Sequence, residues 1–480
     1  MATTDWAGQL AKWRGKRLAV YGLGRSGLAV TDALIAAGAQ VWAWDDQPAA
    51  RPAVTPNQVP IDYHDLHRVN WKAAGISALV ISPGINPLCP MAFTAYMGGA
   101  MLTNDIDLFA QSQPAAAVVG VTGTNGKSTT TALIHHLLQQ AGVECAIGGN
   151  FGTAVFDLPV LSATGVYVLE LSSYQLELLR GTIADIGVFL NLSPDHLERH
   201  RDMLNYRSIK QLILQEHDRP RPHPQANVIG INDRYATGLA NWYAEMYEAG
   251  ECQRPVDRIS GLCRQDADIF PRNGWLTGWL LQYAPLIDLK RLTNLPGPHN
   301  AQNVAAAVAV GLRLGLSRAQ LQSGLQSFPG LPHRQEWVGS IAGMACINDS
   351  KATNAAAAAK ALACYKSILW IAGGRPKLED MRELIPPLPR LKHSFLIGEA
   401  TAKFADFLTQ HGCSFVACDT LDQALAKAVE FGRSLPAKPA TTILLSPACA
   451  SFDQYRNFEE RGDHFRQLVQ AFPHHLADTP

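Results

Sequence analysis

The run Val118-Val119-Gly120-Val121-Thr122-Gly123-Thr124-Asn125-Gly126-Lys127-Ser128-Thr129 sets the architecture of the middle of this chain. An apolar, β-branched segment enters a glycine loop, and the loop ends in Lys-Ser-Thr where a helical pattern starts. This order predicts a strand, a phosphate-binding loop and a helix. Backbone N–H groups would surround a phosphate chain, Lys127 would reach its terminal groups, and Ser128 could bind Mg²⁺. The common loop has glycine where Val121 stands, so the sequence predicts a nucleoside triphosphate site of variant form.

Size and composition restrict the class of protein. A length of 480 residues predicts two or three domains. The 41 basic and 41 acidic residues balance, so neither nucleic acid nor an anionic membrane is favoured as a partner. The nine cysteines form no CxxC pair, and no basic segment precedes an apolar one at the N-terminus. We therefore expect a cytoplasmic protein without a disulfide framework, zinc site, signal peptide or membrane span.

Strand and helix patterns alternate through three segments, which predicts an α/β fold of three successive domains. The first, 1–113, opens with a strand, a glycine turn, a helix and a second strand, and is predicted to be Rossmann-like. The second, 114–330, contains the triphosphate loop and is predicted to resemble P-loop ATPases. The third, 331–480, is again predicted to be Rossmann-like.

The first glycine turn, Gly22-Leu23-Gly24-Arg25-Ser26-Gly27, matches GxGxxG, and Asp45 follows its last glycine by 18 residues. Taken alone, the pattern indicates an NAD-dependent oxidoreductase. The motif is weak by itself, and no hydride-transfer constellation accompanies it. Binding of a nucleotide-like diphosphate is the favoured interpretation.

Three side chains of the second segment are candidates for the chemistry. Glu170 ends an apolar strand pattern, where a carboxylate can hold the Mg²⁺ that bridges the β- and γ-phosphates; a solvated or helix-capping glutamate is the alternative. His196 follows Asp195 after another strand, which favours ligation or substrate contact over a structural role. Lys210 lies in a helical pattern, and the residues alone favour a surface or snorkelling lysine.

Two stretches of the third segment are also candidates. Asn348-Asp349-Ser350-Lys351-Ala352-Thr353-Asn354 opens a helix, and Ser350 or Thr353 could simply cap it. The turn that follows the strand near Leu444 consists of small residues, so backbone can approach a ligand closely there.

Together these motifs resemble the Mur ligases of peptidoglycan synthesis over nearly the whole chain. The resemblance rests on Thr122–Thr129, Leu169–Gln175, Asp195-His196, Gly297-Pro298-His299-Asn300 with Asn303, His333-Arg334, Asn348–Asn354 and Ser446–Gly462. It implies three α/β domains, in agreement with the independent reading of the patterns.

The resemblance implies an ATP-dependent amide ligase. ATP would phosphorylate the carboxylate of UDP-N-acetylmuramoyl-L-alanine to an acyl phosphate, and the amine of D-glutamate would attack it, releasing ADP and phosphate. The catalysis would consist mainly of charge neutralisation and positioning. We expect a monomer in the cytoplasm with small-molecule substrates, serving cell-wall synthesis and thereby cell shape and division.

The resemblance also assigns residues. Catalysis would rest on Lys127, Glu170, His196 and Lys210. One Mg²⁺ would be held by Ser128 and Glu170, and a second by His196 and Lys210, the lysine being carbamylated by CO₂. The implied ATP contacts are Gly123, Thr124, Asn125, Gly126, Lys127, Ser128, Thr129, Asn300, Asn303, Arg334 and Asp349. The implied UDP-sugar contacts are Gly24, Arg25, Ser26, Asp45, Asp46, Gln47, Ser82, Asn150, Ser172, Gln175 and Arg199. The implied D-glutamate contacts are Thr353, Lys377, Ser451 and Phe458.

The first segment departs from the family pattern at two places. Asp46 and Gln47 stand where many members carry a hydroxyl residue and then a basic one around uracil. Asn104-Asp105-Ile106-Asp107 differs from the usual glycine-acid start of that segment.

The alternatives are another Mur step, including L-glutamate addition, or a folylpolyglutamate synthase-like ligase. A non-catalytic nucleotide-binding protein would not need the acid at Glu170.

Overall fold

The N-terminal sheet is parallel throughout and has the order β3-β2-β1-β4-β5. Its strands are β1 Arg17–Tyr21, β2 Gln40–Trp44, β3 Asp62–Tyr63, β4 Ile76–Ile81 and β5 Met101–Thr103. Its helices are α1 Arg25–Ala36, α2 Trp71–Ala74, α3 Pro90–Met97 and α4 Asp105–Ser112. The glycine turn lies between β1 and α1, as the sequence predicts.

The central sheet is also parallel, with the order β11-β10-β9-β6-β8-β7. Its strands are β6 Ala117–Thr122, β7 Cys145–Gly149, β8 Val166–Glu170, β9 Ile186–Phe189, β10 Ala226–Gly230 and β11 Val256–Ile259. Its helices are α5 Lys127–Gln140, α6 Ser173–Leu176, α7 Leu197–His200, α8 Met203–Gln211 and α9 Arg234–Glu248. An antiparallel hairpin follows (β12 Phe270–Arg272 and β13 Trp275–Thr277), then helices α10 Pro298–Arg313 and α11 Arg318–Ser327.

The C-terminal sheet has the order β14-β15-β19-β16-β17-β18 and is parallel except for the β14–β15 pair. Its strands are β14 Glu336–Ile341, β15 Met344–Asn348, β16 Ile368–Gly373, β17 Leu391–Ile397, β18 Phe415–Asp419 and β19 Thr442–Leu445. Its helices are α12 Ala355–Leu362, α13 Thr401–Gln410, α14 Leu421–Arg433 and α15 Phe458–Ala471.

Burial explains why these strands are apolar without alternation. Every residue of β6, β8 and β16 is buried, because helices cover both faces of a parallel sheet. Polar residues appear where the strands end, at Thr122, Glu170 and Asn348, and all three are buried. This places the chemistry at the carboxyl edges of the sheets, where open α/β sheets carry their sites.

The computed structural model describes residues 6–217, 221–376, 381–435 and 441–472. The predicted α/β class with three parallel-type sheets is confirmed. The chain divides into two compact units, residues 1–289 with 301–327 and residues 290–300 with 328–480. The first unit contains both the N-terminal and the central sheet, and the domain boundaries at 113/114 and 330/331 stay predictions. Within the described ranges, no helix has the length and apolarity needed to cross a bilayer.

Candidate active site

The loop between β6 and α5 has the conformation of a phosphate cradle. Gly123 has φ +145° and Gly126 has φ +86°, a region that side chains other than glycine rarely adopt. A Cβ on Gly126 would also collide with the Asn303 side chain. The Lys127 ammonium donates to the carbonyls of Gly123 (3.1 Å) and Thr124 (2.9 Å), so the lysine lies along the inside of the loop.

Residues after β9 hold this loop in shape. The Thr124 amide donates to the Asn191 carbonyl (3.0 Å), and the Asn125 amide donates to Asn191 Oδ1 (2.9 Å). Ser128 and Thr129 follow in the first turn of α5, and Ser128 is buried. Asn191 has no role among the predicted site residues, although its position directly after a buried strand is typical of a site residue.

Val121 explains the variant form of the loop. It is a fully buried interior residue of β6, paired with β8 and β9, and its carbonyl accepts from the Leu171 amide at 2.9 Å. The strand therefore continues one residue past the position of the usual first glycine, and the loop proper begins at Gly123.

Glu170 ends β8 beside the loop and has one carboxylate oxygen without a protein partner. The side chain is 2% exposed. Its Oε1 accepts from Asn150 Nδ2 at 2.7 Å, whereas Oε2 is buried and accepts no hydrogen bond from any residue that the structure describes. A buried, half-satisfied carboxylate is unfavourable unless a cation completes its shell. The donor set therefore fits Mg²⁺, which takes one or two protein oxygens plus substrate phosphates.

The backbone next to Glu170 depends on a glycine. Gly149 has φ +96°, and a Cβ there would collide with the Glu170 carbonyl. The Asn150 amide then donates to that carbonyl at 2.9 Å. Asn150, predicted from the resemblance to contact the UDP-sugar, is thus held at Glu170 by both its backbone and its side chain.

Lys210 is buried, so the surface-lysine interpretation is wrong. The residue is 1% exposed on α8, and its ammonium nitrogen donates to the Gly123 carbonyl at 2.8 Å. Burial and the charge of Lys127 lower the pKa of Lys210 well below its usual value, against the opposing charges of Asp195 and Glu170. The residue types along α8 could not reveal this, because the loop that Lys210 meets is 87 residues away in sequence.

His196 lies at a strained position on the surface side of the site. It precedes α7 with φ +54°, and its Nδ1 lies 3.0 Å from the Tyr174 hydroxyl. Asp195 and Glu198 lie 3.5 and 3.6 Å from its ring nitrogens. In the described part of the chain, no group of three or more His, Cys, Asp or Glu side chains could hold a metal on its own. A Mg²⁺ ion beside His196 would therefore need further ligands, such as substrate phosphates or water, besides these side chains.

A stack of rings that the sequence analysis missed connects these parts. Tyr174 lies 5.6 Å from His200, and His200 stacks on Tyr206 at 5.2 Å between ring centroids. The Tyr206 ring lies 4.9 Å from the Lys210 ammonium, and its hydroxyl lies 3.4 Å from Thr124 Oγ1. The rings therefore form one wall beside the loop.

In the first glycine turn, Gly22 and Gly27 are tightly packed, whereas Gly24 borders open space. Gly22 has φ +91°, and a Cβ on Gly22 or Gly27 would collide with neighbouring atoms, whereas a Cβ on Gly24 would meet nothing within 4 Å. Ser82 Oγ donates to the Gly22 carbonyl at 2.7 Å. The open position at Gly24 lies at the start of α1, where an anion can approach backbone amides.

The two acids after β2 have different surroundings. Asp45 accepts from the amides of Leu23 (2.8 Å) and Gln47 (2.9 Å), so it closes the turn. Asp46 accepts from the Tyr21 hydroxyl (2.5 Å) and Trp44 Nε1 (3.0 Å), and His67 Nε2 lies at 2.7 Å. Burial tends to raise the pKa of Asp46, but these hydrogen bonds hold it below its usual value.

Five further predicted UDP-sugar residues make contacts within the protein. Arg25 donates to the Gly152 carbonyl at 2.6 Å. Arg199 pairs with Glu177 at 2.8 Å and donates to the Ile85 carbonyl at 2.8 Å. Ser172 and Gln175 form a capping box at the start of α6. Ser26 is hydrogen-bonded to Asp105. Burial raises the pKa of Asp105, although the bond from Ser26 acts to lower it.

Asn104, one of the departures from the family pattern, has a structural role. Its Oδ1 accepts from the Asp107 amide at 2.8 Å and caps α4, and its Nδ2 donates to the Gln175 carbonyl at 2.7 Å. Asparagine therefore joins the N-terminal segment to the central one.

In the second unit, Asp349 follows β15 and is buried. Burial raises the pKa of Asp349 to about 7, against hydrogen bonds from Ser446 Oγ and the Gln335 amide and the charge of Arg334. Asn300 is buried in the first turn of α10 and donates to the Pro296 carbonyl at 2.8 Å.

The N-cap of helix α12 is not one of the two residues that the sequence suggested. Asn354 is the N-cap, with its side chain accepting from the Ala357 amide at 2.8 Å, so the capping interpretation of Ser350 or Thr353 is wrong. Ser350 Oγ instead donates to the Phe458 carbonyl at 2.8 Å. Ser451 is buried after the small-residue turn, and Lys377 lies outside the described residues.

A phosphate cradle with a buried carboxylate at the neighbouring strand end defines a nucleotide-binding α/β protein. The profile of the Mur ligase middle domain matches residues 121–311, and that of the Mur ligase glutamate ligase domain matches residues 333–449. The chain belongs to the Mur ligase family.

Two full-length relatives carry the same name, UDP-N-acetylmuramoylalanine--D-glutamate ligase. The protein of Paramagnetospirillum magneticum is 44% identical over 96% of this chain and 97% of its own length. That of Phenylobacterium zucineum is 41% identical over 97% of this chain and 98% of its own.

Solved structures share the fold at much lower identity. MurC from Thermotoga maritima, a UDP-N-acetylmuramate-alanine ligase, has a TM-score of 0.57 at 16% identity over 95% of this chain and 100% of its own. MurF from Acinetobacter baumannii has a TM-score of 0.56 at 16% identity, over 97% of this chain and 98% of its own.

Proposed function

We propose that this protein is an ATP-dependent ligase that joins D-glutamate to UDP-N-acetylmuramoyl-L-alanine in peptidoglycan precursor synthesis. The substrate carboxylate takes the γ-phosphoryl group of ATP to become an acyl phosphate. The amine of D-glutamate attacks that carbonyl, phosphate leaves, and an amide bond remains. The observation that carries the proposal is the buried, half-bonded Glu170 next to the Lys127 loop. The names of the two full-length relatives support the choice of substrates.

Each residue at the loop would act by charge or position. The backbone amides of 123–129 would bind the triphosphate, and Lys127 would turn from the loop carbonyls to the terminal phosphates. Ser128 and Glu170 would hold Mg²⁺, which neutralises phosphate charge when bound. Asn150 keeps the Glu170 carboxylate oriented through Oε1, so that Oε2 remains available. The remaining predicted ATP contacts, Asn300, Asn303, Arg334 and Asp349, are part of the proposal.

Lys210 is proposed to act as a carbamate together with His196 at a second Mg²⁺. Its lowered pKa makes the neutral amine accessible, and only a neutral amine can attack CO₂. The N–C bond forms, a proton is lost, and the ammonium is replaced by a carboxylate-like oxygen donor. That change would also remove the repulsion between Lys210 and Lys127.

The two other substrates are assigned by the predicted contacts. Gly24, Ser26, Asp45, Asp46, Gln47 and Ser82 would face the UDP end, with Asn150 and Arg199 toward the sugar. Thr353, Ser451, Phe458 and Lys377 would meet D-glutamate. We place the reaction in the cytoplasm, which agrees with nine cysteines that form no disulfide.

Phosphate release from ATP tests the proposal directly. Purified protein with Mg²⁺ and UDP-N-acetylmuramoyl-L-alanine should release phosphate on addition of D-glutamate. L-glutamate, L-alanine and a diamino acid serve as matched controls for the sister reactions. Release with one of those amino acids and none above buffer with D-glutamate would refute the proposed specificity.

Replacement of Lys127 tests the ATP site. We expect Lys127→Ala to lower kcat/KM for ATP by about 10³-fold, because the cradle loses its charge on the terminal phosphates. Its thermal midpoint should remain close to that of wild type. A variant with near-normal turnover would exclude this loop as the ATP site.

A further inference from the structure

Arg461 on α15 is a buried cation that the proposed mechanism does not use. It is 1% exposed, and its acceptors are three carbonyl oxygens and one hydroxyl. Burial lowers its pKa to about 10. Burying a guanidinium is unfavourable unless its donors are satisfied, and here Nε, Nη1 and Nη2 all donate to acceptors.

The four acceptors come from two separate loops. Nε and Nη2 donate to Ser350 Oγ (3.0 Å) and to the Ser350 carbonyl (2.9 Å) in the loop after β15. Nη2 and Nη1 donate to the carbonyls of Cys449 (3.1 Å) and Ala450 (3.4 Å) in the loop after β19. One planar fork therefore ties together two loops that lie about 100 residues apart in the chain.

The loops that Arg461 joins carry the proposed amino-acid contacts. Ala450 directly precedes Ser451, and Ser350 lies three residues before Thr353. The Ser350 hydroxyl accepts from Arg461 and donates onward to the Phe458 carbonyl at 2.8 Å. Three of the four proposed contacts, Thr353, Ser451 and Phe458, are thus at or within three residues of a group that hydrogen-bonds to Arg461 or Ser350.

The surroundings leave little room for another arrangement. Gly374 has φ +131°, and a Cβ there would collide with the Ala450 carbonyl and lie 3.1 Å from Arg461 Nη1. A Cβ on Gly462 would collide with the His333 ring. The Asp349 carboxylate, by contrast, is held by Ser446 Oγ (2.8 Å) and the Gln335 amide (3.1 Å) without help from Arg461.

We propose that Arg461 is a positioning residue for the amino-acid substrate: its guanidinium fixes the loops at 349–354 and 446–451 in the geometry that binds this substrate. The inference rests on the proposed function for the identity of that substrate. Arg461→Lys keeps the charge but loses the planar fork whose spaced donors reach both loops, so we expect it to hold the two loops less firmly.

Steady-state kinetics of Arg461→Lys provide the first test. We expect the KM for D-glutamate to rise by about tenfold or more, as loss of one or two charged hydrogen bonds predicts. The KM for ATP should stay within about twofold, because the Asp349 bonds remain. Arg456→Lys is the matched control. Arg456 lies just before α15, is exposed, and forms a surface ion pair with Glu460, so both KM values should stay near wild type.

Hydrogen exchange provides a second test that needs no turnover. Amides of 349–354 and 446–451 should exchange faster in Arg461→Lys than in Arg456→Lys, while those of β16 should not change. Should Arg461→Lys fail to fold, Ser350→Ala removes the shared hydroxyl and should raise the KM for D-glutamate by a smaller factor.

Unchanged exchange in both loops, or equal rises in the KM for ATP and for D-glutamate, would overturn the positioning role. If wild type shows no D-glutamate-dependent phosphate release, the proposed function fails, and the exchange rates still decide whether Arg461 holds the loops.

Discussion

At the scale of single residues, burial sets the properties of three side chains: Lys210 and Glu170 in the first unit and Asp349 in the second. Lys210 is a lysine whose pKa is lowered by burial and by Lys127, and Asp349 is an aspartate whose pKa burial raises to about 7. Glu170 is a buried carboxylate with one oxygen unbonded. Groups with a strongly shifted pKa concentrate where substrates and ions bind, so Lys210 and Asp349 are residues to change first.

A small carboxylic acid added to the buffer should restore part of the activity that is lost when the Lys210 side chain is removed. We expect Lys210→Ala to lose activity by about 10²-fold or more, because a proposed oxygen ligand is lost. Formate or acetate at high concentration should restore part of the activity, since a short carboxylate can supply that oxygen in the space left by the lysine. Chloride at the same ionic strength is the control. Full activity of Lys210→Ala without any acid would contradict the carbamate.

Asp349 should make stability depend on pH with a defined sign. Its pKa is raised from 3.8 to about 7 in the folded state, so its contribution to stability is complete below about pH 4, where both states are protonated. Between about pH 4 and pH 7 the folded state retains a proton that the unfolded state releases. That stability is lost as pH rises towards 7. The difference between wild type and Asp349→Asn should therefore change by up to about 4 kcal/mol between pH 4 and pH 7.5, to the advantage of the asparagine. Thermal midpoints of both proteins across this range measure it, and parallel curves would show that Asp349 is ionised throughout.

At the scale of elements, short side chains at helix starts decide how the loops enter the site. Asn354 caps α12, Asn457 caps α15, and Ser172 with Gln175 forms the capping box of α6. Each cap fixes the direction in which the preceding loop arrives. Thr353 is left free of the capping task and available for the proposed substrate contact.

The difference between Asn354 and Thr353 can be tested as a pair. Asn354→Ala should lower the free energy of unfolding by about 1 kcal/mol, because the Ala357 amide loses its acceptor. Thr353→Ala should leave stability within about 0.5 kcal/mol and change only the KM for D-glutamate. Urea unfolding of the two variants compares them, and a larger loss for Thr353→Ala would mean that the assignment of the cap is wrong.

At the scale of the whole molecule, side chains fasten the N-terminal sheet to the central one within the first unit. Arg25 reaches the Gly152 carbonyl, Asn104 reaches the Gln175 carbonyl, and Arg199 reaches the Ile85 carbonyl while pairing with Glu177. The Arg199 and Glu177 side chains are 11% and 17% exposed. Because the pair is largely buried, removing one partner would leave the other charge buried and unpaired, which is strongly destabilising.

Arg199→Ala should therefore destabilise the protein by about 2–3 kcal/mol, since Glu177 would be left buried without its partner. Arg264→Ala is the matched control, because its ion pair with Asp266 is more exposed and should contribute less than about 1 kcal/mol. Unfolding free energies from urea titration compare the two. Equal losses in both variants would mean that Arg199 serves mainly the UDP-sugar, as the resemblance implies.

The sequence by itself determined the alternation of strands and helices, the glycine loop at 123–129 and the polar residues at the strand ends. These are local features: glycine conformations, apolar runs and caps depend on neighbours within a few residues. The tertiary structure alone decided that Lys210 is buried against the loop, that one oxygen of Glu170 is unbonded, and that Arg461 joins two distant loops. Burial, pKa shifts and hydrogen bonds between segments about 100 residues apart depend on which surfaces exclude water together, and no local pattern encodes that.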